Sequence, residues 1–267
     1  MKSYRLILVL VLITGVLSNC EDAFEYSPYA ANVKDSYKNV GVQNIKSIQI
    51  NNDQSKDEFS FAVFADSHYN YHELDGAVSD VDKRDEIDFV VVNGDISEHG
   101  YLKEFELFHD QMETLNVPYL TTIGNHDYRS NGEKIYSDMY GAKNYSFVYH
   151  NCLFIMWDNV FWESNKYPDF EWLEQQLQTE EAYSHIFVIC HIPPFGSQFD
   201  DESEQKYTNL MSKYDVDLSI HGHTHSYYYS KYYNDGVDYL VVGTIMQSEY
   251  AIINVIKESY SVERIKY

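Results

Sequence analysis

Short apolar runs recur along this chain, and most are followed within a few residues by aspartate, asparagine or histidine. These runs constrain its fold more than any other feature. Five runs predict buried strands: FSFAVFA (59–65), IDFVVVN (87–93), VPYLTTI (117–123), HIFVIC (185–190) and VDLSI (216–220). Between or after these runs, apolar residues recur at helical spacing, which predicts helices at 73–84, 101–115, 132–140, 169–182 and 202–213. Strands that alternate with helices predict a layered α/β architecture.

The rest of the globular part is predicted to be rich in β-structure. Two β-rich runs, NYSFVYH and CLFIMWD, lie between the third and fourth predicted strands, and NDG at 234–236 predicts a turn between paired strands near the C-terminal end. Cys152 and Cys190 fall inside apolar, strand-like runs, so we expect two buried thiols and no disulfide framework.

Polar residues follow these strands at the points where each one ends. The residues with metal-ligand chemistry are Asp66, His68, Asp95, Asn125, His191, His223 and His225. Sites in open α/β sheets form beyond the carboxyl ends of strands, so we expect these side chains to meet. In an extended segment, residues two apart point to the same side, which lets His223 and His225 face one cleft.

The ordered motifs D-x-H, G-D, G-N-H-D, a lone His and G-H-x-H resemble those of the calcineurin-like metallophosphoesterase superfamily, over roughly residues 57–267. The resemblance implies a four-layer α/β-β/α sandwich of two mixed sheets flanked by helices, with a dinuclear metal site at one edge. The resemblance assigns Asp66, His68 and His225 as ligands of one metal ion. It assigns Asn125, His191 and His223 as ligands of the second metal ion, with Asp95 bridging the two ions. His221 is then a structural neighbour, and GDISEHG further resembles the branch that contains cyclic-nucleotide phosphodiesterases.

The implied ligands suit two ions of Mn, Fe or Zn better than Ca²⁺, since imidazoles accompany carboxylate and amide oxygens. Two such ions would bind both the attacking and the leaving oxygen of an in-line displacement. They would also lower the pKa of bound water toward about 7, so that metal-bound hydroxide is the expected nucleophile. His126 is interpreted as the general acid, because adjacent side chains diverge and Asn125 is the ligand; Asp127 is expected to orient it. Arg129 is interpreted as solvated, with a phosphate contact as the alternative.

Charge limits the partners of such a site. The chain has 19 Lys and Arg against 42 Asp and Glu, a net charge of -23, which disfavours general binding to nucleic acids. A small phosphorylated substrate remains compatible, because bound cations dominate the local field. We therefore predict a dinuclear phosphoesterase acting on a phosphomonoester or phosphodiester. The alternatives are a metal-binding lipoprotein without turnover and a hydrolase of another ester or anhydride. Oligomeric state, substrate and metal identities stay open.

The N-terminal stretch MKSYRLILVLVLITGVLSNC predicts an export signal. It has a basic start, an apolar run at 6–16 that is too short to span a bilayer, and Cys20 at its end. The LSNC ending resembles a bacterial lipobox and implies a signal peptide over 1–19 and a lipid anchor on Cys20, at the outer membrane or the cell surface. Plain secretion and an uncleaved anchor are the alternatives. Residues 20–56 are interpreted as a polar tether and leading strand, and 57–267 as the metallophosphoesterase domain.

Overall fold

A computed structural model describes residues 27–52 and 58–267 of the chain. The strands are β1 (Glu58–Phe64), β2 (Ile87–Asn93), β3 (Tyr119–Thr122), β4 (Tyr145–Tyr149), β5 (Cys152–Met156), β6 (His185–Ile189), β7 (Leu218–His221), β8 (Tyr228–Ser230), β9 (Asp238–Val241), β10 (Glu249–Ile256) and β11 (Ser259–Lys266). The α-helices are α1 (Val40–Ile50), α2 (Tyr71–Val81), α3 (Leu102–Met112), α4 (Gly132–Tyr140), α5 (Phe170–Leu177) and α6 (Asp201–Lys213).

The strands form two mixed sheets. The first has the order β11-β10-β1-β2-β3, and the second has the order β4-β5-β6-β7-β9-β8. In the first sheet β1, β2 and β3 run parallel, while β10 pairs antiparallel with both β1 and β11. In the second sheet β5, β6, β7 and β9 run parallel, and β4 and β8 are antiparallel edges. The predicted sandwich of two mixed sheets flanked by helices is confirmed.

Strand β1 shows how the layers are held together. Phe59, Phe61 and Val63 belong to the apolar cluster formed by residues of both sheets. Their neighbours Ala62 and Phe64 belong instead to the cluster that includes the helices. Successive side chains of a strand point to opposite faces, so a run that is apolar at every position is buried on both faces. This explains why the strands of the site lack an alternating polar pattern.

Most of the predicted elements are found. Asp169 caps α5, with its carboxylate accepting from the Trp172 N–H at 2.9 Å. Helix α5 nevertheless ends at Leu177, earlier than predicted. Its last buried residue is Leu177, and the residues that follow are polar, so no apolar face continues the helix. Cys152 and Cys190 are free, buried thiols, as expected.

The prediction of a polar tether and leading strand over 20–56 is wrong for residues 40–50, which form α1. This helix buries Val40 and Ile48, and its Asn44 side chain donates to the Tyr119 carbonyl of β3 at 2.8 Å. Tertiary packing stabilises a helix whose own periodicity is too weak to predict it. The predicted signal segment and Cys20 lie outside the described residues. Within residues 27–52 and 58–267, the helices are all too short or too polar to cross a membrane.

Candidate metal centre

The seven residues expected to bind metals meet beyond the carboxyl ends of β1, β2, β3, β6 and β7, at one edge of the two sheets. Five of them have left-handed backbone conformations, with φ between 48° and 68°: Asp66, His68, Asp95, His223 and His225. Residues other than glycine rarely adopt this conformation, and each instance costs about 1–3 kcal/mol. Strain concentrated on these residues is typical of a functional site, where the fold holds side chains in one orientation.

The first cluster contains Asp66, His68 and His225. Asp66 Oδ1 lies 3.4 Å from His225 Nε2, and the Nε2 atoms of His68 and His225 are also 3.4 Å apart. Asp66 also accepts from the backbone N–H of His223 at 3.0 Å, which leaves its carboxylate fixed at the base of the cleft. Three ligand atoms thus converge on one point.

The second cluster contains Asp95, His191 and His223, with Asn125 beside them. Asp95 Oδ2 lies 3.3 Å from His191 Nε2, and Asn125 Oδ1 lies 3.0 Å from His223 Nδ1. The other ring nitrogen of His191 faces the Asn93 carbonyl at 2.8 Å. Donation of the Nδ1 proton to that carbonyl makes Nε2 the ring atom that can bind a metal, which would displace the proton from it.

Asp95 joins the two clusters. Its Oδ2 lies 3.3 Å from His191 Nε2 in the second cluster and 3.8 Å from His68 Nε2 in the first. Its Oδ1 accepts from the His126 N–H at 2.9 Å. One carboxylate oxygen is therefore within reach of ligands of both clusters, as the bridging assignment of Asp95 requires.

Two glycines allow the backbones of the site to approach one another. Gly94 has φ +78°, and a Cβ there would lie 2.4 Å from His191 Nδ1. A Cβ on Gly124 would lie 2.2 Å from the Asp95 N and Oδ1 atoms. Any side chain at either position would displace a ligand.

The charges of the cluster are compatible with cation binding. Burial lowers the pKa of His68, and burial with the nearby His191 lowers the pKa of His223 to about 4, so both rings are neutral near pH 7. Burial disfavours a charged His191, but the Asp95 and Asp66 carboxylates outweigh it and raise its pKa to about 10. Burial also opposes ionisation of Asp95, yet His191 holds the pKa of Asp95 well below its ordinary range. The buried carboxylates thus require positive charge, which a metal ion supplies.

The environment of His191 also fits a metal ion. His191 Nε2 is buried without a hydrogen-bond partner among the described residues, although Asp95 Oδ2 is 3.3 Å away. Buried polar atoms are rarely left unsatisfied, and a cation bound at this point would satisfy both the ring nitrogen and the Asp95 carboxylate. The donor set of imidazoles, carboxylates and one amide oxygen matches Mn, Fe or Zn.

His126 lies at the mouth of the cleft, where its Nδ1 is 3.1 Å from the Glu98 carbonyl and its Nε2 is 4.0 Å from Asp95 Oδ2. The expected pairing of Asp127 with this ring is wrong. Both Asp127 oxygens instead accept from buried donors, which are the N–H groups of Ile96, Ser97 and Gly124 and the Ser97 hydroxyl. These bonds join the loops after β2 and β3. Burial and the Asp95 charge raise the pKa of Asp127 to about 7.

Glu98 is a residue of the site that sequence reasoning did not assign to it. Its Oε2 lies 2.9 Å from His68 Nδ1, and its Oε1 lies 3.4 Å from His126 Nδ1. Arg129 donates to Glu98 Oε1 at 3.2 Å and lies 3.0 Å from His126 Nε2, so it is not merely solvated. A carboxylate this close to a ligand histidine can orient the ring electrostatically, although His68 Nδ1 makes no hydrogen bond within the described residues.

Two further residues of the site were not predicted. Asn93 donates to the Cys190 and Ile220 carbonyls at 3.3 and 3.2 Å, which connects the two sheets directly beneath the ligands. Glu163 accepts from the Asn125 amide at 3.1 Å. The position of Asn93 at the end of a strand was a usable signal, whereas Glu163 lies in a loop without a motif.

His221 is turned away from the cleft into a buried network. Its Nε2 lies 2.7 Å from the Ser219 hydroxyl, which lies 2.7 Å from the Tyr207 hydroxyl. Its Nδ1 lies 3.5 Å from Cys190 Sγ. Burial lowers the pKa of His221 to about 3, so the ring is neutral and structural.

Comparison with known proteins agrees with this geometry. The family model for calcineurin-like phosphoesterases matches residues 59–227, which is more than half of the chain. A probable cyclic nucleotide phosphodiesterase from Xenorhabdus bovienii is 26% identical over 154 residues, which cover 53% of this chain and 62% of that protein.

Solved structures of other proteins share the fold. Purple acid phosphatase PPD1 from yellow lupin has a TM-score of 0.63 and 17% identity, covering 80% of this chain and 52% of the lupin chain. GAP50, the anchor in the inner membrane complex of Plasmodium, has a TM-score of 0.61 and 15% identity, covering 79% and 85%. The chain thus spans 62% of the Xenorhabdus protein and 52% of the lupin phosphatase. By its motifs, fold and family match, this chain belongs to the calcineurin-like phosphoesterase family.

Proposed function

We propose that this chain hydrolyses a phosphomonoester or phosphodiester at a centre of two metal ions. The observation that carries the proposal is the position of Asp95 Oδ2, which lies within 4.0 Å of ring nitrogens of His68, His126 and His191. A carboxylate shared between two ligand sets is what a two-metal site requires, and such sites catalyse in-line displacement at phosphorus.

Three overlapping groups could hold a metal ion, and the ligand sets follow from two of them; the third, His68, Asp95 and His126, is set aside because His126 is assigned as the acid. One ion is held by Asp66, His68 and His225, the other by Asn125, His191 and His223, and Asp95 is shared. Mn, Fe and Zn suit these donors. When bound, such ions supply Lewis-acid stabilisation of the phosphoryl oxygens and activation of the attacking water.

His126 supplies the proton for the leaving oxygen in this proposal. With its Nδ1 donating to the Glu98 carbonyl, its Nε2 is the atom that faces the cleft. Arg129 lies 3.0 Å from that atom. The Arg129 guanidinium beside it can donate to a phosphate oxygen. Asp127 contributes by holding the loop that carries His126.

The relative from Xenorhabdus bovienii, named a probable cyclic nucleotide phosphodiesterase, makes phosphodiesters the first substrates to test. The chain has a net charge of -23, so binding of an anionic substrate depends on the metal ions. We expect removal of the metals to abolish substrate binding as well as turnover.

The test is hydrolysis by the Mn²⁺-loaded protein of a panel of phosphomonoesters, phosphodiesters and cyclic nucleotides, together with elemental analysis. We expect two ions per chain and turnover of at least one class. Asp95→Asn should lower metal content and rate more than any change of a ligand that serves one ion. Two bound ions without hydrolysis of any substrate would support the alternative of a metal-binding scaffold without turnover. One ion or fewer after loading would contradict the two-metal centre.

We also propose that the protein is attached to the cell envelope through lipidated Cys20. The support is the arrangement of the first 20 residues: a basic start, an apolar run and a cysteine in a lipobox-like ending. The acidic pair that follows Cys20 resembles a signal for the cell surface. An anchored hydrolase of this kind would act on substrates outside the cytoplasm.

A further inference from the structure

The loop between β5 and α5 contacts the segments that carry two ligands of the second cluster. Asn159 and Glu163 make these contacts, and each is far in sequence from its partner. The metal-ligand motifs include neither residue.

Asn159 holds the backbone next to His191 at two points. Its Nδ2 donates to the Ile192 carbonyl at 2.7 Å, and its Oδ1 accepts from the Ile192 N–H at 3.1 Å. Asn159 is buried, so water does not compete for these bonds. The paired bonds fix the peptide that immediately follows the ligand.

Glu163 determines which end of the Asn125 amide faces the cleft. A carboxylate accepts hydrogen bonds and cannot donate them, so the group 3.1 Å from Glu163 Oε1 is the Asn125 NH₂. The amide oxygen then points the other way, where it lies 3.0 Å from His223 Nδ1. An amide turned over would offer the cleft an NH₂ group, which cannot bind a metal.

The second carboxylate oxygen of Glu163 has no partner comparable to that of Oε1. Oε2 is shielded from solvent and has no hydrogen-bond partner within residues 27–52 and 58–267. Glu163 is only partly buried, but a carboxylate oxygen that is shielded from water without a hydrogen-bond partner is costly, so stability of the fold alone gives no reason for an acid here. The positive charge of a metal ion bound by Asn125 would explain why an acid is placed here.

We propose that Glu163 and Asn159 are positioning residues for the second metal ion, the one held by Asn125, His191 and His223. This inference rests on the two-metal centre of the proposed function. Glu98 is the corresponding residue of the first cluster, because it lies 2.9 Å from His68 Nδ1. The two carboxylates therefore act on different ions.

The test is isothermal titration of Mn²⁺ into the metal-free, full-length protein, with circular dichroism to monitor folding. Glu163→Leu removes the acceptor at similar volume, and we expect a 10–100-fold weaker second ion, as for other partners of metal ligands. The first ion should keep its affinity within about threefold, by the same reasoning. Glu163→Gln should largely rescue binding, since its amide oxygen still accepts from Asn125. The matched control is Glu171→Leu, an exposed glutamate whose side chain meets Gln175.

Equal affinities of the wild type and Glu163→Leu for both ions would overturn the inference, as would equal weakening of both ions. If Glu163→Leu does not fold, Glu163→Ala replaces it with the same expectation. A wild type that binds one ion refutes the two-metal centre separately. Where His223→Ala loses that single ion, the ion occupies the second cluster, and its unchanged affinity in Glu163→Leu would again overturn the positioning role.

Discussion

Replacement of Asp127 by alanine separates the structural role of this carboxylate from the orienting role expected from the sequence. The substitution leaves three buried backbone N–H groups without their acceptor, those of Ile96, Ser97 and Gly124. Each such group costs about 1–3 kcal/mol. Water that enters the space of the lost carboxylate offsets part of this, and we expect a loss of about 4 kcal/mol in the free energy of unfolding.

A loss of this size is a large part of the stability of a domain, which is typically about 5–15 kcal/mol. It corresponds to a fall in melting temperature of about 10 °C for a domain of this length. Asp127→Asn should lose roughly half as much, because one amide oxygen still accepts while the NH₂ faces another donor. The control is Asp110→Ala, an exposed aspartate that accepts from the Tyr37 hydroxyl, with an expected change within about 0.5 kcal/mol.

The measurements are urea and thermal unfolding followed by circular dichroism, and turnover of an alkyl and a p-nitrophenyl ester by the same samples. The structure predicts a lower unfolding midpoint and similar losses of rate on both esters, because the loop bearing Asn125 and His126 is displaced. An unchanged midpoint with loss confined to the alkyl ester would refute this reasoning and restore the orienting role of Asp127.

Three further predictions concern other parts of the chain. His126→Ala should lower the rate roughly 10²–10⁴-fold for alkoxide leaving groups and much less for p-nitrophenoxide, with both metals retained; equal losses on the two substrates would remove His126 from the acid role. Gly94→Ala should weaken metal binding, because its Cβ would lie 2.4 Å from a ligand imidazole, whereas Gly236→Ala, with φ +90° and open space around it, should cost stability alone; metal titration distinguishes them. Mass spectrometry of the native protein should find residues 1–19 removed and a lipid mass on Cys20, and an intact Met1 would contradict the lipid anchor.

The candidate ligands and their order could be predicted from the sequence because they directly follow apolar strands. Asp66, Asp95 and His191 each follow a short apolar run by one or two residues. Parallel strands bring their carboxyl ends to one edge, so local patterns alone predict that these residues converge. The alternation of strands and helices likewise predicted a layered α/β fold. The division into two mixed sheets was implied by the family resemblance.

The partners of the side chains were decided only by the tertiary structure. Asp127 was assigned to its sequence neighbour His126, but its donors at Ile96 and Ser97 lie 31 and 30 residues away. Glu163 meets Asn125 across 38 residues. Helix α1 is likewise stabilised by contacts with β3 that lie 75 residues away. Sequence patterns report which face of an element is buried. The hydrogen-bond partner of a buried polar group depends on how distant loops turn at the strand ends, and there the left-handed backbone of Asp66, Asp95 and His223 directs the chain.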